Sequence, residues 1–178
     1  MSVEDSIDRV RRGMSLSERI ISYIPGYRGY KEKEVRRESD RLVRMEVVAR
    51  LREAKGILRR SLSNPAVAAK IPGEDSWRID TLLHRLDRVT QRIDRAVAGY
   101  AGIFDAVKVK EDKLESVIEY DLGLIEKAES VRSCIRSLAS SDPGSGEWRR
   151  ILGDLISRVD ELDSLIDRRI DILRGVVG

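Results

Sequence analysis

Between residues 76 and 104 the chain reads SWRIDTLLHRLDRVTQRIDRAVAGYAGIF. Ile79, Leu82, Leu86, Val89, Ile93, Val97, Tyr100 and Phe104 recur at steps of three and four, the repeat of one helix face, while arginines and aspartates fill the other faces. A half-buried strand would alternate apolar and polar residues with a period of two, and no stretch of the chain does so. The seam is close to a heptad, which suits packing between long, nearly aligned helices.

The pattern continues outward on both sides. A long helix is predicted from about Lys31 to Ser63, with an inner face of Val43, Val47, Leu51, Ala54, Leu58 and Leu62, ending before Asn64-Pro65. Pro65 to Glu74 reads as a connector with a helical turn at Ala66 to Lys70, after which Asp75 or Ser76 caps the central helix. Downstream, Lys110 to Ala139 carries Leu114, Val117, Leu124, Ala128, Val131, Ile135 and Leu138 on one face. Asp142-Pro143-Gly144 then marks a turn, and Glu147 to about Leu173 presents Trp148, Leu152, Leu155, Val159, Leu162, Ile166 and Leu173. Upstream stand two short helices. One spans about Val3 to Arg12; the other, capped by Ser15 or Ser17, bears Leu16, Ile20, Ile21 and Ile24 and stops at Pro25-Gly26. The expected fold is all-α: an elongated antiparallel bundle of four long helices, each about 40 to 50 Å long, with two short N-terminal helices. It forms a single domain in which residues 1–25 hold the short helices and residues 26–178 the bundle. Gly26-Tyr27-Arg28-Gly29 before Lys31-Glu32-Lys33-Glu34 is echoed by Gly99-Tyr100-Ala101-Gly102 before Lys108-Val109-Lys110-Glu111, a hint of internal duplication.

Composition bounds the function classes. The 178 residues are 37% charged and 41% apolar with a net charge of +3, too apolar and too nearly neutral for a disordered chain. No window supplies the roughly 20 apolar residues of a membrane span, and the start, MSVEDSIDRV, is polar and acidic, so a cytoplasmic location is expected. A single cysteine, Cys134, has no internal disulfide partner, and a single histidine, His84, leaves most metal sites and catalytic triads short of ligands. Glu-x-x-His, the di-iron mark of carboxylate bundles, does not occur, and the glycines at 26, 29, 99 and 102 do not spell a phosphate loop. No enzyme activity and no cofactor are expected. Arginine outnumbers lysine 26 to 8, and Asn64 and Gln91 are the sole side-chain amides, a composition that points to a thermophilic source.

Charge is unevenly placed. Residues 1 to 70 hold 17 basic and 10 acidic groups, and residues 71 to 178 hold 17 and 21. On the helix after Tyr30, Arg37, Arg41, Arg44, Arg52, Lys55 and Arg59 fall within about an 80° sector at 100° per residue, interrupted by Val48. With Tyr27 and Tyr30 just before it, this stripe has the elements of a nucleic-acid surface: guanidinium forks for phosphates and rings for bases. A solvated, ion-paired face is the simpler interpretation, since Glu32 with Arg36, Asp40 with Arg44 and Glu46 with Arg50 are favourable i,i+4 pairs. A third alternative sets the stripe against Asp160, Asp163, Asp167 and Asp171 on the last helix.

Asp121 stands at a core position between Val117 and Leu124, so it is expected to have an arginine or a tyrosine hydroxyl as partner, or to lie where the seam is open to water. His84 lies off the seam and is expected at the surface; Cys134 is expected to be small and half-buried. Together these readings favour a non-enzymatic interaction or scaffold protein that binds a protein partner or itself. The alternatives are an RNA-, DNA- or ribosome-binding protein using the basic stripe, and a peripheral membrane protein using the face of Leu16 to Ile24 followed by Arg28, Lys31 and Lys33.

Overall fold

The computed structural model describes residues 13–29, 33–96 and 111–173, apart from the side chains of residues 33–37, 111–114, 170, 172 and 173. Outside this description lie the helix expected at Val3 to Arg12, Tyr30, the side chain of Arg37, the Glu32–Arg36 pair, and the seam beyond Ala96 with Tyr100 and Phe104. The helices are α1 (Leu16–Tyr23), α2 (Lys33–Leu62), α3 (Pro65–Ala68), α4 (Gly73–Arg95), α5 (Glu111–Ser140) and α6 (Gly146–Leu173), and the described residues contain no strand.

Local chemistry sets the helix starts. Ser15 caps α1 in a capping box: its hydroxyl accepts from Glu18 N at 3.3 Å, and its own N–H donates to Glu18 Oε2 at 2.7 Å. Asn64 Oδ1 accepts from Ala66 N at 3.0 Å to open α3, and Ser145 Oγ accepts from Trp148 N at 3.1 Å to open α6. The start of α4 departs from the expected cap at Asp75 or Ser76. It begins at Gly73 behind Pro72, and Asp75 falls inside the first turn, where a carboxylate suits the positive end of the helix.

Consecutive long helices run in opposite directions, as expected, but the bundle is assembled as two hairpins, α2–α4 and α5–α6. Each long helix adjoins two others: α2 meets α4 and α5, and α6 meets α4 and α5. Across α2 and α5, Arg50–Glu129 and Glu53–Arg132 share a separation of 79 residues, so these helices run the same way. Across α4 and α6, Arg85–Asp160, Arg88–Asp163 and Arg92–Asp167 share a separation of 75. The hairpins therefore lie side by side with like helices adjacent and both connectors at one end. There Lys70 Nζ is 2.8 Å from Asp142 Oδ1, and the backbone of Gly144 (φ +78°) passes close to the Lys70 carbonyl.

The hairpins also repeat each other's core. Buried Val47, Val48, Leu51, Ala54 and Leu58 correspond to buried Leu124, Ile125, Ala128, Val131 and Ile135 at a step of 77 residues. Buried Ile79, Leu82, Leu86, Val89 and Ile93 correspond to Leu152, Leu155, Val159, Leu162 and Ile166 at a step of 73. The shorter step reflects the shorter second connector. The second half of the glycine-tyrosine echo in the sequence, Gly99 to Gly102, lies outside the described residues.

All these side chains join one core, which also takes in Ile20, Ile24 and Tyr27 from the N-terminal segment. Burying each aliphatic chain contributes about 1.5–3 kcal/mol. α1 packs on α5; Arg19 pairs with Glu126, and the Arg50 guanidinium stacks 5.3 Å from the centre of the Tyr23 ring.

Candidate interaction surface

The seams between helices are closed by charge. Along α2 and α4, Arg52 Nη2 is 2.9 Å from Asp94 Oδ2 and Lys55 pairs with Asp87. Along α2 and α5, Arg50 meets Glu129, and Glu53 accepts from both Arg132 (2.6 Å) and Arg136 (3.0 Å). Along α4 and α6, Arg85, Arg88 and Arg92 engage Asp160, Asp163 and Asp167. Three of the four acids of the last helix's stripe, Asp160, Asp163 and Asp167, thus face the arginines of α4 and not the stripe of α2, and Asp171 has no ion pair among the described residues.

The α2 stripe is dispersed among these roles. Arg44 is only 8% exposed, with its Nε 2.8 Å from Asp40 Oδ2; Arg52 and Lys55 serve the α4 seam; Arg41 lies 3.6 Å from Glu38. Arg59 is exposed with no ion pair among the described residues. Tyr27 is buried, and burial, aided by the Asp121 carboxylate and opposed by Arg169, pushes its hydroxyl pKa far up. A ring in that position does not stack on a base.

Asp121 is paired with arginine, as expected: Arg169 Nε donates to its Oδ1 at 2.8 Å. Arg169 Nη2 donates to Asp40 Oδ1 at 2.6 Å, so Asp40, Arg44, Asp121 and Arg169 form a buried set of two acids and two bases tying α2, α5 and α6 together. The charges balance within the set, which limits the cost of burying them.

A cleft of about 400 Å³ lies between α5 and α6, walled by Ser130, Ser133, Cys134 and Ser137 on one side and Arg150, Asp154 and Arg158 on the other. Small side chains on α5 open it; Arg158 donates to Ser130 Oγ, and Arg150 pairs with Asp154 at 3.2 Å. Cys134 is half-buried, its thiol 3.8 Å from the Ile151 carbonyl. Burial pushes the thiol pKa up against the pull of Arg158, so the thiol stays protonated and is a poor nucleophile. Among the described residues no group of three or more His, Cys, Asp or Glu could hold a metal ion. None of the described helices is long and apolar enough to cross a membrane.

Apolar surface is concentrated elsewhere. Trp77, in the second turn of α4, is 70% exposed, beyond Met45 (54%) and Ile21 (46%). Glu74 and Asp80, one turn before and one turn after it, flank its ring on the helix surface, and His84 follows two turns along the same line. Glu74, Asp80 and His84 are exposed, and neither acid has an ion pair among the described residues. The connector before α4 adds exposed Pro65, Ala66, Ala68, Ala69 and Pro72. The core pattern alone does not reveal Trp77. Its signal in the sequence is its position, two residues before Ile79 and so almost opposite the buried seam.

The face of α1 offered to a membrane is largely inside the protein: Ile20 and Ile24 are buried, Leu16 is half-buried, and Ile21 is outward. No family model matches the chain, and neither does a curated protein or a solved structure.

Proposed function

We propose that the chain is a non-enzymatic interaction module, a rigid frame of two stacked hairpins that binds a protein partner at the face carrying Trp77. The observation behind this is Trp77 itself, a large ring 70% exposed on a helix whose seam residues are all buried. Tryptophan on a fixed helix covers much area while losing little conformational entropy on binding, which is why it recurs at energetic centres of interfaces. The seams of the frame are charge-matched internally. The proposed setting is the cytoplasm.

A phosphate-tracking stripe has less support. Arg44, Arg52 and Lys55 already have carboxylate partners, which an incoming phosphate would have to displace.

The test is retention from a lysate of the source organism on the immobilised protein, with and without nuclease, beside Trp77→Ala. A protein held by the wild type, indifferent to nuclease and lost from a normally folded Trp77→Ala, is expected. Retention abolished by nuclease and equal in both forms contradicts the proposal.

A further inference from the structure

We infer that the partner of the Trp77 face is a basic segment of another protein, carrying arginine or lysine; this rests on the interaction reading above and adds the partner's chemistry. Trp77 stands between Glu74 and Asp80, three residues away on either side, and all three are exposed. Glu74 and Asp80 have no ion pair among the described residues, and, unlike exposed Glu147, which also has none, they are set on either side of an exposed ring. The arrangement puts a carboxylate on each flank of an open indole face; Arg149 lies close enough to Glu74 to act on it through charge, but its guanidinium is hydrogen-bonded to Asp75. A guanidinium laid on that ring gains a cation–π contact, for which indole is the best of the natural rings, and meets a carboxylate on either side. An acidic segment or a nucleic acid would meet repulsion from both flanks. The helix holds the spacing fixed, because the turn beneath is anchored by Asp75, which accepts from Arg149 at 2.7 Å and Arg78 at 3.3 Å.

Trp148, the other tryptophan, is buried at 3% exposure, so changes in indole emission on adding a ligand report chiefly on Trp77. The full chain is titrated with an eight-arginine peptide and an eight-glutamate peptide while its emission is followed, beside Trp77→Phe, Glu74→Lys/Asp80→Lys, and the remote charge control Glu119→Lys/Asp171→Lys. The expected result is a saturable change with the arginine peptide alone, absent in Trp77→Phe, which assigns the signal to Trp77, and weakened about tenfold or more in Glu74→Lys/Asp80→Lys, which tests the acids. The remote control should bind within about twofold of wild type. No saturable change, equal loss in the remote control, or a response to the glutamate peptide overturns the inference. So does self-association of the wild type in sedimentation that Trp77→Phe abolishes, since a second copy would then hold the face. The two readings fail separately. A lysate partner lost from Trp77→Ala but kept by Glu74→Lys/Asp80→Lys removes the basic partner and leaves the interaction face; one kept by Trp77→Ala removes both.

Discussion

Arg169 on α6 donates to Asp121 on α5 across 2.8 Å, and the two side chains are 2% and 0% exposed. Removing Asp121 leaves Asp40 facing two buried guanidiniums, those of Arg44 and Arg169. Asp121→Leu should cost about 3–5 kcal/mol, whereas Asp121→Leu/Arg169→Met, which leaves Asp40 with Arg44, should cost much less than Asp121→Leu and Arg169→Met combined. Urea unfolding of the four proteins measures the coupling. Additivity within about 0.5 kcal/mol would show that the pair does not act as a unit.

The interhelix ladders make a second prediction, about which side chains pair. Arg92→Glu sets an acid against Asp163 and Asp167 and should lower stability by about 1 kcal/mol, with most of the loss recovered by Asp167→Arg. Arg52→Glu should be rescued by Asp94→Arg and not by any change on α6. Thermal melts at low salt and at about 1 M salt check both, since these exposed pairs are screened by salt. Rescue of Arg52→Glu from α6 would restore the pairing of the α2 stripe with the acidic stripe.

Much of this architecture was legible in the sequence, for local reasons. Period and punctuation located the long helices, and the inner faces Val43 to Leu58 and Ile79 to Ile93 are buried as expected. The heptad position of Asp121 called for an arginine, a tyrosine hydroxyl or an opening of the seam to water, and the arginine is the one found. The basic stripe was harder. A helix wheel sorts residues by angle but does not say where neighbouring helices sit, and the sector of Arg44, Arg52 and Lys55 borders the buried face. Val48, buried in the middle of the stripe, is the mark of that border. The side-by-side hairpins depend on contacts between residues more than 70 positions apart, such as Arg85–Asp160, which no local pattern encodes. Trp77 escapes a periodicity reading because a lone ring off the seam adds nothing to the repeat, and its exposure depends on where the neighbouring helices sit, none of those described covering that side of α4.

Two glycines should respond in opposite directions to alanine. Gly144 has φ +78°, and a Cβ there would stand 2.6 Å from the Lys70 carbonyl oxygen, so Gly144→Ala should destabilise by roughly 1–3 kcal/mol. Gly56 lies inside α2, where an added methyl group would meet nothing within 4 Å, so Gly56→Ala should stabilise by about 0.5–1 kcal/mol. Denaturant midpoints decide. A neutral Gly144→Ala would mean that the two connectors do not meet.

Acid should weaken the α2–α5 seam. The hydrogen bond from Arg132 holds Glu53 below the ordinary value of 4.5, outweighing slight desolvation, with the charges of Arg132 and Arg136 adding to it. Burial pushes Glu129 up, but Arg132 and Arg50 more than reverse this and hold it below 4.5. A carboxyl depressed in the folded state contributes stability above its unfolded value and loses it as pH falls through the folded one. Stability should therefore begin to drop near pH 4.5 and continue to fall below it. Glu53→Gln/Glu129→Gln should show a shallower acid decline in urea midpoints; an unchanged slope would remove these two groups from the acid response.

The side-by-side placement of two hairpins, with their connectors meeting at one end, is tested most directly by zero-length coupling of amines to carboxylates. Lys55–Asp87 and Lys127–Glu161 lie within the hairpins, and Lys70–Asp142 joins one hairpin to the other. Carbodiimide treatment of dilute protein, followed by digestion and mass spectrometry, should recover all three as links within one chain. A Lys70–Asp142 link absent while the other two form, or Lys70 joined instead to carboxylates on the far half of α5 such as Glu115 or Glu119, would contradict the arrangement.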